Sequence, residues 1–152
     1  MGVNRFKSIF DSIAVKNRWL AVKGGWVHSI KETDECIVSI DLQKSSHAKQ
    51  FYVNIQIYVQ DAFGRRFDRN LQVQNAIPTA FRRLPKDFDD IFDLTSVLND
   101  NERIARMSGV FRVLEDYARE ATSLRGLLKL AENGDIYLIA GVREEIQRLL
   151  NT

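Results

Sequence analysis

Between residues 51 and 60 the chain alternates apolar and polar positions without a break. Phe51, Val53, Ile55, Ile57 and Val59 fall on one side, and Tyr52, Asn54, Gln56, Tyr58 and Gln60 on the other. A period of two sends successive side chains to opposite faces, so this segment predicts a strand with one covered and one wetter face. Cys36–Gln43 repeats the pattern, Val38, Ile40 and Leu42 alternating with Ser39, Asp41 and Gln43. The polar stretch Lys44–Lys49 between the two fits a hairpin loop. Trp26–Lys31 reads as a preceding strand, joined through the turn Glu32–Glu35. Alternation of this kind belongs to antiparallel sheets. A fourth strand or extended segment is expected around Ala76–Leu84, where Pro78 restricts it to an edge or a strand end. Ala62–Asn75, with Phe63 and Phe67 among basic residues around Gly64, reads as a loop.

Elsewhere the period lengthens to that of a helix. Phe6, Ile9, Phe10 and Ile13 make one apolar stripe, with Asn4 as candidate cap and Gly24–Gly25 as the stop. Ile104, Met107, Phe111, Leu114, Ala118 and Ala121 make a longer one, capped by Asp100 or Asn101. Ser123 starts a short helix, Leu124–Ala131, closed by Asn133–Gly134. Asp135 is the expected cap of a final helix running to Leu150, with Gly141 marking a kink. The architecture expected is therefore α+β in a single domain over residues 1–152. It has an N-terminal helix, an antiparallel sheet of about four strands, and C-terminal helices packed on one sheet face, that of Phe51–Val59.

Composition narrows the chemistry. With 152 residues, 45% hydrophobic and 28% charged, the chain can bury a core without metal or disulfide staples. Lys and Arg number 22 against 20 Asp and Glu; a net charge of +2 argues against a nucleic-acid partner. One cysteine, Cys36, excludes an internal disulfide and a cysteine-based zinc site, and two histidines, His28 and His47, disfavour a histidine one. Arg5, Lys7 and Asp11 interrupt the first helix as no signal peptide would, and no apolar window is long enough to span a bilayer. A cytoplasmic location without membrane partner follows as the expectation. No GKS or GKT follows Gly24–Gly25, and HExxH, CxxC and GxSxG are absent. Neither enzyme chemistry nor a cofactor or metal is expected.

Three surfaces are candidates for binding. The polar face of the central strands carries Asp41, Tyr52, Asn54 and Tyr58, where tyrosines offer rigid contact area with a polar tip. The run Asp89, Asp90 and Asp93, with Asp87 before it and Phe88, Ile91 and Phe92 between, offers carboxylates flanked by aromatics to a basic partner. Arg65, Arg66, Arg69, Arg82 and Arg83 are the residues a phosphate backbone would contact. Each has a plainer reading as solvated surface.

The segments Gly25–Trp26–Val27, Ile40–Asp41–Leu42–Gln43–Lys44–Ser45–Ser46 and Gln50–Phe51–Tyr52–Val53–Asn54–Ile55 carry a resemblance. Over Phe6–Tyr58 the chain resembles the bacterial domain of unknown function family 4304, whose members share an LQKS…QFYVN hairpin core. The resemblance implies a compact bacterial α+β domain and carries over no catalytic residue. Domains of this size and type occur beside secreted polymorphic toxins as cognate immunity proteins. By that association it implies a protein-binding module that neutralises a toxin in interbacterial competition. The competing expectation is a small-ligand or enzymatic housekeeping domain with a pocket around Asp41, Lys44 and Asn54. The oligomeric state is left open.

Overall fold

The computed structural model describes residues 1–22, 29–70 and 77–152. In chain order the elements are α1 (Val3–Lys16), β1 (Leu20–Ala21), β2 (Ser29–Glu32), β3 (Cys36–Lys44) and β4 (Phe51–Val59). There follow a 3-10 turn (Ala62–Gly64), β5 (Ala80–Arg83), a second 3-10 turn (Lys86–Phe88) and α2 (Asp89–Phe92), then α3 (Asp100–Ala121), α4 (Leu124–Glu132), β6 (Tyr137–Leu138) and α5 (Val142–Leu150). The sheet order repeats the chain order, β1-β2-β3-β4-β5-β6, and every neighbouring pair is antiparallel. The fold is α+β as expected, with six strands rather than about four. The additional pair, β1 and β6, are two residues each, too short to show a period.

Register explains which face is buried. Cys36, Val38, Ile40 and Leu42 lie opposite Val59, Ile57, Ile55 and Val53, so eight apolar side chains share one face of the β3–β4 hairpin. That face meets Phe6 and Phe10 of α1, Met107, Phe111 and Leu114 of α3, Leu127 of α4 and Ile146 of α5 in one core. Phe6 stacks on Phe51 with ring centroids 5.1 Å apart and meets Phe92 edge-on at 5.7 Å, which fixes how α1 crosses the sheet. The opposite face holds a smaller buried cluster of Ile30, Ile37, Tyr58 and Phe67.

Several boundaries differ from the expectation. Helix α1 begins after Gly2, and Asn4 is inside it. The cap of α3 is Asn99, whose side chain accepts from the Glu102 N–H in a capping box. The final helix does not start at Asp135: residues 137–138 pair with β5, and Gly141, at φ 85°, breaks the chain before α5. A helix cannot run through a positive φ, and glycine adopts one without steric cost. Strand β5 is interior, flanked by β4 and β6, so of the two places expected for Pro78 it takes the strand end, just before Ala80, and not an edge. The expected stop at Gly24–Gly25, the strand start at Trp26–Val27, His28 and Ala76 lie outside the described residues.

Candidate interaction surface

On the outer face of the sheet, β3, β4 and β5 bring four polar groups into one network. Register places Asp41 opposite Asn54, Gln43 opposite Tyr52, and Asn54 opposite Arg83. The Asn54 amide donates to Asp41 Oδ2 at 3.3 Å and to Gln43 Oε1 at 3.0 Å. Arg83 donates from Nε to Asn54 Oδ1 at 3.2 Å and from Nη2 to Gln43 Oε1 at 3.0 Å. Its guanidinium lies 4.5 Å from the centre of the Tyr52 ring. Arg83 is thus held in one orientation by three neighbours, and among the described residues it forms no ion pair within 4 Å.

Two of the expected anchors prove to be buried. Asp41 is 4% exposed, and its Oδ1 has no hydrogen-bond partner among the described residues. Burial pushes its carboxyl up to about 6, against the Asn54 hydrogen bond and the Arg83 charge, which pull it down. Tyr58 is 1% exposed; its ring sits 5.3 Å from that of Phe67 and its hydroxyl donates to Gln56 Oε1 at 3.1 Å. Burial, with the Asp41 charge, pushes that phenol up to about 12. Tyr58 therefore belongs to the small outer core, whereas Tyr52 and Asn54 are only half-buried.

Two carboxylates of the acidic run, those of Asp90 and Asp93, are engaged within the molecule. Asp90 is ion-paired with Arg106, with one of its hydrogen bonds at 3.0 Å, and this pairing lowers its carboxyl from the ordinary value. Asp93 Oδ1 accepts from the Thr95 hydroxyl at 2.7 Å and the Thr95 N–H at 2.9 Å, again lowering the carboxyl. Asp89 stands in the first turn of α2 and gives its carbonyl to the Gln50 amide at 3.2 Å. Beneath the run, Arg103 is 1% exposed and directs Nη1 at the carbonyls of Asp90, Ile91 and Asp93, at 3.2, 2.6 and 2.9 Å. The run is the wall around a buried arginine. Sequence periodicity put Ile104 on the covered stripe; it is half-buried, and Arg103 is buried beside it.

The basic residues are likewise distributed. Arg66 pairs with Asp61 and Arg69 with Glu32, while Arg65 lies over the Phe67 ring and Arg82 over Tyr117 on the helix side. They do not form one stripe along which a phosphate backbone could lie.

What the sequence did not single out is a set of four exposed apolar residues. Phe63, Ile77, Phe81 and Tyr137 are 61%, 67%, 45% and 60% exposed, half of the eight large apolar residues left outside among the described residues. Phe81 and Tyr137 lie opposite each other on β5 and β6, rings 5.1 Å apart. Two hollows meet at Pro78. One, of about 340 Å³, is lined by Asn54, Ile55, Gln56, Phe81, Arg82 and Arg83 besides Pro78. The other, of about 200 Å³, lies among Phe63, Phe67, Ile77, Ile139 and Val142. Of the three residues expected to line a pocket, Asn54 lines the larger hollow, and Asp41 and Lys44 line neither.

Phe63 is presented at some cost. Its φ is 55° and that of Asp61 is 66°, left-handed conformations that cost a non-glycine residue about 1–2 kcal/mol each. Helix α5 holds the turn: Glu145 Oε2 accepts the Phe63 N–H at 2.7 Å, and Arg148 Nη2 donates to the Asp61 carbonyl at 3.3 Å.

Among the described residues no group of three or more His, Cys, Asp and Glu is placed to hold a metal ion, and no helix is long and apolar enough to cross a membrane. No family model, curated protein or solved structure matches the chain.

Proposed function

We propose that this protein is a non-catalytic protein-binding module that docks its partner on the outer face of β4–β6 and the adjoining 3-10 turn. The observation that carries the reading is the exposed Phe81–Tyr137 ring pair on the same sheet face as an oriented arginine, Arg83, two residues along β5. Exposed aromatic surface rimmed by polar groups marks interaction sites, and aromatic residues with arginine dominate the energy of protein interfaces. The particular partner we propose, following the family resemblance of the hairpin core, is a bacterial toxin that the module neutralises by covering its active site. Partner binding is moved from Asp41, Tyr58 and the aspartate run to Tyr52, Asn54, Arg83, Phe81 and Tyr137.

Affinity purification of the tagged protein from its host, with mass spectrometry of what co-elutes, tests this. The expected result is one stoichiometric protein bearing a toxin-like domain, lost when Tyr137 and Phe81 are both changed to serine. A protein recovered equally by that double variant, or no partner under conditions in which the candidate toxin is expressed, refutes the proposal. The alternative of a small-ligand site has the 340 Å³ hollow in its favour, since ligand pockets begin near that size. A melting-temperature rise with a metabolite panel, abolished by Arg83→Ala, is its signature.

A further inference from the structure

We infer that the partner element seated at Pro78 is an acidic and apolar segment of protein chain, setting an apolar side chain beside Phe63 and a carboxylate on Arg83. This deepens, and rests on, the binding-module reading. Charge is the first argument. The larger hollow is lined on its outer side by Arg83 and by no carboxylate, Arg82 turning to the helix side over Tyr117. The acids beside Phe63, Asp61 and Glu145, are each held in an ion pair, with Arg66 and Arg148. Asp41, which shares Asn54 with Arg83, is 4% exposed, so the exposed charge that a partner meets at Arg83 is positive and complementary to a carboxylate.

Geometry is the second. Nε and Nη2 of Arg83 are occupied by Asn54 and Gln43, and its plane is set against Tyr52, while Nη1 makes no hydrogen bond among the described residues. A partner carboxylate meets a donor whose side-chain freedom has already been surrendered, which lowers the entropic cost of binding. The third argument is Phe63. A ring 61% exposed is given largely to solvent, on a residue whose φ of 55° glycine would take without steric cost. Strained backbone that presents a side chain outward belongs to binding sites.

Arginine beside aromatic rings also serves single-stranded nucleic acid. The hollow at Phe63 separates the two. Its polar lining is Thr79, whose hydroxyl already donates to the Ile57 carbonyl and accepts the Val59 N–H, and Arg65, whose guanidinium lies over the Phe67 ring; the remainder is apolar. It thus favours an aliphatic or aromatic side chain over a phosphate or sugar.

The test selects binders from a display library of random peptides about twelve residues long, using the immobilised protein with counter-selection on Arg83→Glu. Enriched peptides are expected to place Asp or Glu within a few residues of Leu, Phe or Trp. Their affinity should fall about tenfold or more on Arg83→Glu and on Phe63→Gly. Phe63→Gly should melt no lower than wild type, because glycine relieves the positive φ, so its lost binding is not lost folding. An empty selection, enrichment of basic peptides, affinity unchanged in either variant, or tighter binding of poly(U) than of any selected peptide overturns the inference. A host protein that binds the wild type and ignores both substitutions also overturns it, yet leaves the binding-module reading standing.

Discussion

Replacing Arg103 by methionine keeps a long apolar stem in α3 and removes every donor from its tip. Three carbonyls, of Asp90, Ile91 and Asp93, then lose bonds of 2.6–3.2 Å to a guanidinium, and Ser96 Oγ loses one of 3.2 Å from Nη2. A hydrogen bond to a charged group contributes about 1.5–3 kcal/mol, so the gross loss over the three carbonyls is about 5–9 kcal/mol. Removing the buried charge returns several kcal/mol of desolvation cost. The expected net loss is about 3–4 kcal/mol, or about 10 °C in melting temperature for a domain of this size. Arg103→Lys keeps the charge but gives up the fork that reaches both the carbonyls and Ser96, and should lose about half as much. Urea and thermal unfolding of the three proteins give the comparison. If Arg103→Met unfolds within about 1 kcal/mol of wild type, the carbonyl cage does not hold α2 to α3 and the reasoning fails.

Asp41→Asn should stabilise the fold at pH 8, by about 2 kcal/mol, since a carboxyl raised from 3.8 to about 6 disfavours the ionised native state. The sign follows from proton counts. Between pH 4 and 6 the native state holds a proton that the unfolded state has released, so the wild type loses stability relative to the variant as pH rises through that window and stays level above it. Urea midpoints of both proteins at pH 4, 6 and 8 check this, and a constant difference would falsify it. Cys36 is fully buried with its thiol pushed up to about 12, so a neutral-pH thiol reagent should label it only as fast as the chain unfolds. Gly126→Ala should cost about 2 kcal/mol or more in urea unfolding, because the added Cβ would meet the Glu120 carbonyl oxygen at 2.1 Å.

The legible part of the fold is the part with repeats long enough to average. Five alternating pairs mark β4, and the register in the structure buries the apolar set that its sequence indicates. Ser123 and Asn133–Gly134 bracket α4 as their chemistry dictates, the Ser123 hydroxyl accepting the Gly126 N–H and Gly134 taking φ 75°. Residues 136–140 misled because apolar positions in so short a stretch fit either period, and pairing with β5 decides between them. For the candidate surface, one strand pattern found Tyr52 and Asn54 but could not show that Tyr58, on the same face, is roofed by Phe67. Exposure of Phe81 and Tyr137 is a property of two segments meeting across the sheet, and neither segment carries it alone. Arg103 was invisible for the opposite reason: a charged residue on an otherwise apolar stripe reads as its border until carbonyls are found waiting for it.

The identity of sheet order and chain order has a consequence for assembly. From β1 to β5 each strand pairs with its predecessor, so this part of the sheet closes through contacts between successive strands. Strand β6 is separated from β5 along the chain by α2, α3 and α4, so the pairing of Ala80 with Leu138 closes the longest loop in the sheet. The Phe81–Tyr137 pair therefore depends on the helical half being in place. A partner that grips it draws on the folding equilibrium of the whole C-terminal third, and each increment of its concentration above the dissociation constant is felt as stability in α3 and α4, far from any residue it touches.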